Sequence, residues 1–478
     1  MPALNPRRFK LKRNYTLHST LWLAGLLGAA GLAGNALAQA QNTTTSYAYD
    51  AMGNLTTVTD PLSNITQYNY DALNRRIKGT DANSGVTQLS YNGQSQLTGV
   101  TDPRNLVTSY QIDGLGNQTS LISPDTGTTS RTFDAAGNLL TSTDAKNQTT
   151  TYTYDVLSRL TRIQYADGQT VTYTYDQGTN GIGRLSSVTD SSGSTTYTYD
   201  QYGQVLTDVR VINGSTYTTS YTYDSASQLA TVHYPGGRQL VYSRDGLGRI
   251  SQITSINNGN TVTLVTSVVY APTGRILSFV NGTGNVVQYT TDINGRTTSY
   301  SLNQQTRSLT YDAGSRLTNQ VDPALSVTYG YDVLNRLNSA LTSGTSFSYG
   351  YDAVGNRSTM GNGSANISYT YGTTSNQLTQ VAGTQTNTIQ SDLNGSITSN
   401  VSNQFTYDAR GRMVAAQTSV GAVQYQINAL GQRVLKVTPT ATTIFNYDQG
   451  GKLIGESTGS HGTDYIYLND MPVAVAQH

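Results

Sequence analysis

The chain has 478 residues, no cysteine, 36% hydrophobic and 12% charged residues, with 29 basic groups against 28 acidic ones. Without cysteine there can be no disulfide framework and no acylated lipoprotein anchor, so burial and backbone hydrogen bonds must hold the fold. Glu456 is the one Glu, every other acidic residue is Asp, and 35 Tyr accompany 47 Gly: a composition that argues against helices and for strands joined by tight turns.

In chain order, residues 1–38 read as an export signal. Arg7, Arg8, Lys10, Lys12 and Arg13 form a basic head, "LWLAGLLGAAGLAG" from Leu21 to Gly34 is apolar, and Ala36-Leu37-Ala38 fits a small-x-small cleavage site ahead of Gln39. The apolar run is shorter than the ~20 residues a membrane span needs. Arg7-Arg8 hints at a twin-arginine signal, but the residues after the pair depart from that pattern. Cleavage would remove five of the 29 basic groups, leaving 24 against 28 acidic, a net charge of −4. That balance, with no basic run, speaks against nucleic acid or an anionic membrane as partner, and no integral membrane segment remains. Residues 39–45 form a short polar linker.

From residue 46 to residue 478 the sequence repeats itself. The pair Tyr-Asp recurs at Tyr49-Asp50 and Tyr70-Asp71, then as Tyr91-Asn92, Ile112-Asp113, Phe133-Asp134, Tyr154-Asp155 and Tyr175-Asp176, every 21 residues. Two steps of 24 lead to Tyr199-Asp200 and Tyr223-Asp224, and from Thr291-Asp292 the step settles near 20. Counting the degenerate Tyr270-Ala271, there are 21 units, and 16 Asp residues occupy one column. Catalytic carboxylates do not come in 16 copies, so this Asp is structural.

Each unit holds two β-prone runs and two turns. In "ITQYNYD", Thr66, Tyr68 and Tyr70 alternate with polar residues and share one face. The column Asp is expected to accept backbone N–H groups two or three residues ahead, as in an Asx turn. Gly at the fourth turn position, or Asn74 and Asn335 in its place, tolerates positive φ. A second Asp column (Asp60, Asp81, Asp102, Asp144, Asp190, Asp322) opens the other turn. The fold class is therefore all-β: repeated hairpins forming a spiral sheet, an open or partial shell, in which neighbouring units supply the burial that one hairpin lacks.

At this point the residues carry a resemblance. "YTYDVLSRLTRIQYADGQTVTYTYDQ" (Tyr152 to Gln177) and "YGYDVLNRL" (Tyr329 to Leu337) resemble the YD repeat of bacterial Rhs proteins, of the shell of insecticidal Tc toxins and of teneurins. The resemblance covers essentially Ser46 to His478. It implies hairpins wound into a hollow shell, which in many relatives encloses a toxic C-terminal domain released by an Asp-dependent self-cleavage at an Asp-Pro-x-Gly-Leu motif. Asp60-Pro61, Asp102-Pro103 and Asp322-Pro323 lack the following Gly-Leu, so neither that site nor a toxin is carried over, and the chain reads as truncated before the core-associated segment.

A search for chemistry finds no catalytic, cofactor-binding or metal-binding residue to propose. His233, His461 and His478 lie far apart without ligand-like spacing, no nucleophile elbow occurs, and Glu456 has no evident partner. Gly-rich "NGTGN" (Asn281 to Asn285) reads as a turn. The expected role is an exported, non-catalytic shell segment, secreted, periplasmic or at the cell surface. Its rivals are a carbohydrate- or cell-surface-binding module and, third, a glycosidase. Some 42 strands at ~4.8 Å span about 200 Å, which predicts a single turn or an open arc. Its exposed rim would recruit another β-rich segment, a C-terminal core or toxin part, or a second copy; glycans are the other candidate partner.

Overall fold

The computed structural model describes residues 44–302 and 304–478; the expected export signal and most of the linker lie outside the described residues. Among the described residues there are 43 strands and no helix. Each strand pairs antiparallel with the next in sequence, in runs of 33 and 10 strands. The interruption is slight: between Thr386–Thr388 and Gln390–Ser391, the Ile389 N–H donates to the Thr379 carbonyl at 2.8 Å. The sheet is thus one long meander, as the repeat predicts.

Both turn columns use the same device. Asp60 Oδ1 accepts the N–H groups of Leu62 and Asn64, both at 2.8 Å; Asp155 Oδ1 accepts those of Leu157 and Arg159, both at 2.9 Å. The donors lie two and four residues ahead, which corrects the expected two or three. The loop is one residue longer than a β-turn, closed by Asp155 N–H to the Arg159 carbonyl at 3.0 Å. The residue before the last must then turn left-handed: φ is +84° at Gly53 and +59° at Asn74.

Every marker turn also carries a β-bulge. Tyr154 stands opposite Leu160, but its neighbour Thr153 stands opposite Arg162, leaving Thr161 as the extra residue. The Thr161 hydroxyl donates to the Thr153 carbonyl at 3.0 Å, stitching the bulge. A bulge bends and twists the sheet, and here it recurs every second strand.

The accumulated bend brings the sheet past a full circuit. Arg104 Nη2 donates to the Gly372 carbonyl at 2.7 Å, 268 residues away, and Asn394 Nδ2 donates to Asp144 Oδ2 at 2.6 Å, 250 residues away. Further along, the Tyr234 hydroxyl donates to the Tyr465 carbonyl at 3.0 Å, 231 residues away. One circuit therefore takes roughly 11 or 12 units, about 24 strands, or ~115 Å at ~4.8 Å per strand. The expected single turn is corrected: one circuit takes a little over half of the ~200 Å sheet, and a second coil lies against the first.

The chain exposes 28870 Å², against about 17,000 Å² for a compact protein of this mass. Subtracting the ~7,000 Å² that the undescribed residues could at most expose still leaves a large excess. This is a thin wall, with half-buried and exposed residues alternating along strands that lead into a marker, such as Ile65–Tyr70 and Thr149–Tyr154. A dense core forms where the second coil ends on the first. There Leu240, Ile253 and Val265 of the first coil are fully buried with Ile466 and Leu468 of the second.

Candidate functional site

The sequence singled out the marker column, and the structure shows how its side chains are used. In the unit starting at Tyr154, Asp155 Oδ2 accepts Arg159 Nε at 2.6 Å. The Arg159 guanidinium lies 4.5 Å over the ring of Tyr175, the marker of the next unit. The Tyr175 hydroxyl reaches back to the Leu160 carbonyl at 2.9 Å. The pattern repeats: Arg336 bonds Asp332 through Nε at 2.6 Å, lies 4.7 Å over Tyr351, and Tyr351 donates to the Leu337 carbonyl at 2.8 Å. Asp, Arg and Tyr form a ladder that runs from unit to unit.

The electrostatics follow. Hydrogen bonds from the Arg75 guanidinium and backbone hold Asp71 below its ordinary value. The Asp176 and Asp155 carboxylates push Arg159 up. A column carboxylate so engaged stays ionised, and its proton is not available for acid catalysis.

The second set of residues lines the seam between coils. Asp102 and Asp144, in the second Asp column, use Oδ1 for their own turns and present Oδ2 to Asn376 and Asn394 of the second coil, at 3.1 and 2.6 Å. Lys146 Nζ pairs with Asp392 at 3.2 Å. Deeper, fully buried Asp208 holds Arg210, whose Nη1 donates to Gln432 Oε1 at 2.7 Å. Arg238 Nε donates to Asp464 Oδ2 at 2.8 Å, and both are buried. Burial pushes the Tyr234 phenol far up, so it stays a neutral donor across the seam.

Of the residues weighed for chemistry, His461 and His478 are neighbours in the sheet, since Gly462 and His478 exchange backbone hydrogen bonds at 3.0 Å. His478 Nδ1 lies 3.3 Å from Asp464, while His233 sits in the first-coil strand Leu229–His233. Glu456 does have a partner, the Tyr465 hydroxyl, which donates to it at 3.0 Å. Among the described residues no group of three or more His, Asp or Glu could hold a metal ion.

The Arg of the ladder and the charged seam pairs were missed in the sequence. Both had a signal: where the column Asp becomes Asn, the residue four ahead becomes Gln, at Asn92/Gln96 and Asn428/Gln432, and these too are bonded, at 2.7 and 3.0 Å. Opposite charges two apart among valines, in "VLTDVRVI", likewise mark one buried strand face.

Residues 116–262 and 308–444 match the model of the teneurin YD-shell, and overlapping stretches between residues 33 and 128 match that of the RHS repeat. None of the curated proteins matches the chain. Among solved structures, a Tc holotoxin pore of Photorhabdus luminescens, carrying a point substitution in TccC3, superposes with a TM-score of 0.67 at 16% identity, over 88% of this chain and 27% of that one. The crystal structure of TcdB2-TccC3 gives 0.67 at 15% identity, over 88% and 28%. The likeness at that identity is one of fold, and the chain spans about a quarter of the length of the solved chains it matches.

Proposed function

The chain belongs to the teneurin YD-shell family, and we propose that it is a non-catalytic wall segment of an exported YD-repeat shell. The observation that carries this reading is where the column side chains are spent. Carboxylate, guanidinium and phenol of the ladder are used on one another, and the second Asp column is used on the seam. These are the interactions of a wall that must keep its curvature over long stretches without a compact core.

The wall segment works with a β-rich partner. Among the described residues, Ser46–Tyr49 pairs on one side only, with Leu55–Thr59, and its Tyr47 and Tyr49 are exposed. Such an edge is a template for a further strand, from another part of the assembly or a second copy. Residues 1–38 direct export and leave with Trp22, the one Trp.

Electron microscopy of the exported protein tests the reading. A coiled wall with its second coil seated on the first is expected, together with Tyr-type fluorescence and a mature N-terminus near Gln39. Hydrolysis of a saccharide, lost on changing one Asp pair in a protein that still folds, would overturn it. A Trp emission from the exported protein would refute cleavage alone.

A further inference from the structure

The marker turns obey a pairing rule. Six column arginines, Arg75, Arg159, Arg249, Arg296, Arg316 and Arg336, donate Nε to the Asp four residues earlier, at 2.6 to 2.8 Å. All six also lie over the marker Tyr of the next unit, at 4.5 to 4.9 Å. Neutral Asn is matched with neutral Gln. At Arg412 the turn keeps its carboxylate, Asp408, though Arg410 takes its second oxygen.

Arg275 breaks the rule twice. The residue four before it is Ala271, and the next marker is Thr291. Arg275 therefore has neither carboxylate nor ring: it donates Nη1 to the Gly295 carbonyl, while its Nε is buried without a hydrogen-bond partner. The loop itself keeps its form, with Ala271 N–H to the Arg275 carbonyl at 2.8 Å, Gly274 N–H to the Ala271 carbonyl at 2.9 Å, and φ +84° at Gly274. In the sister turns the Asp Oδ1 accepts the two N–H groups that correspond to Thr273 and Arg275, as at Leu157 and Arg159. Among the described residues Thr273 N–H and Arg275 N–H meet no acceptor. Thr273 N–H, Arg275 N–H and Arg275 Nε are thus the donors that the other units spend on a carboxylate, and here all three lack one.

Arg275 lines a cleft of about 400 Å³, together with Tyr289, Thr297, Asn469, Asp470 and Met471 among others. The cleft offers room for a molecule larger than a bare ion. Its other charge is Asp470, whose carboxylate Lys452 holds at 3.0 Å.

We propose that this turn is a carboxylate-binding site: an external carboxylate takes the place of the missing Asp side chain, accepting from Thr273 N–H, Arg275 N–H and Arg275 Nε. The rest of the carboxylated molecule occupies the cleft beside Tyr289 and Met471. The carboxylate comes either from a small acidic molecule, such as a uronic acid, or from an acidic peptide side chain. The inference stands apart from the wall reading, which it neither needs nor endangers.

Calorimetric titration of the exported protein at low salt tests it, with sodium glucuronate as probe, glucose as uncharged control and an Asp-rich hexapeptide as the peptide source. Saturable binding of glucuronate or the hexapeptide, without glucose binding, is expected, and whichever binds identifies the source. Ala271→Asp supplies the carboxylate from within, so it should abolish binding and raise the melting temperature. Arg275→Gln should weaken binding about tenfold or more, and Asp470→Asn should strengthen it. Failure of both probes to bind, binding that survives Ala271→Asp, or an Ala271→Asp variant that melts below the parent would each overturn the proposal.

Discussion

Two stretches built from the same repeat differ sharply in what surrounds them. In the first units, Ser46 to Phe133, the positions shut away from solvent are Gly99 and Ser120, with no large apolar side chain among them. From Tyr221 to Tyr289, the strands carry Leu240, Ile253 and Val265 at full burial, because the hairpin His461–Leu468 and Met471–Gln477 packs onto them. The ladder of Asp, Arg and Tyr runs through the first stretch as well, at Asp71, Arg75 and Tyr91. The repeat thus encodes the turn, the bulge and the link to the next unit, whereas burial depends on which coil lies opposite. Both stretches meet the second coil, the first through polar contacts such as Asn376 Nδ2 to Asp102 Oδ2. Stability in such an array is a sum of local terms plus contacts between neighbours, so the stretch from Tyr221 to Tyr289, doubled by an apolar hairpin, should be the last to open.

The sharpest way to break this contrast is to remove one partner of the buried pair that joins the coils. Asp464→Ala leaves the Arg238 guanidinium buried with only Ser255 and the Gln477 carbonyl. Stranding a buried charge costs about 3–5 kcal/mol, and hydrogen exchange should show that loss over the doubled stretch and not over residues 46–133. A loss spread evenly over both would mean that the array unfolds as one unit. Next in size, Leu240→Ala should cost about 3 kcal/mol in denaturant unfolding of the doubled stretch. Val107→Ala, at a side chain 54% exposed in the first units, should cost less than about 0.5 kcal/mol. Equal effects would show that the wall carries its own core.

How much of this was readable in the sequence depends on the range of each interaction. The turns were legible because their signals span four residues: Asp opens the loop, and Gly53 or Asn74 supplies the left-handed position. The strand count was legible from the period. The length of one circuit was not, because it depends on small rotations summed over many bulges, and a spacing of 20 or 21 residues is silent on their size. The burial of Leu240 was equally hidden, since its partners Ile466 and Leu468 arrive from more than two hundred residues away. The expected absence of catalytic residues concerns chemistry and is tested by activity, as above.

A third effect follows from burial of the phenols. Tyr242, in the strand Gln239–Arg244, is pushed up to about 12 by burial and by the Asp448 carboxylate of the second coil. An unfolded Tyr titrates near ~10. The raised folded value means that the neutral phenol's contribution is whole below pH 10 and is lost as pH rises toward 12, on the order of 2 kcal/mol. Alkaline titration followed at the tyrosinate band should show a late step that coincides with opening of the doubled stretch. Tyr242→Phe should weaken that coupling while the buried phenols of Tyr234 and Tyr221 keep theirs, and an opening that precedes pH 10 would contradict it.

The smallest effect belongs to the ladder and should be alike in both kinds of stretch. Asp332 accepts Leu334 N–H, Arg336 N–H and Arg336 Nε. Burial raises its carboxyl, but these three donors outweigh that and hold it below the ordinary value. Its contribution is therefore present above the unfolded value near ~4 and fades as pH falls through the folded one. Asp332→Ala should cost about 1 kcal/mol at neutral pH, and parent and variant should converge in acid. The Arg336 guanidinium would keep its place over Tyr351 and its bond to the Asp352 carbonyl at 3.0 Å, which is why the loss stays small. Asp155→Ala, in another unit with the same donors, should behave the same way. A large loss at one site and none at the other would mean that the column is not one structural device repeated, and that the unit with the large loss has acquired a role of its own.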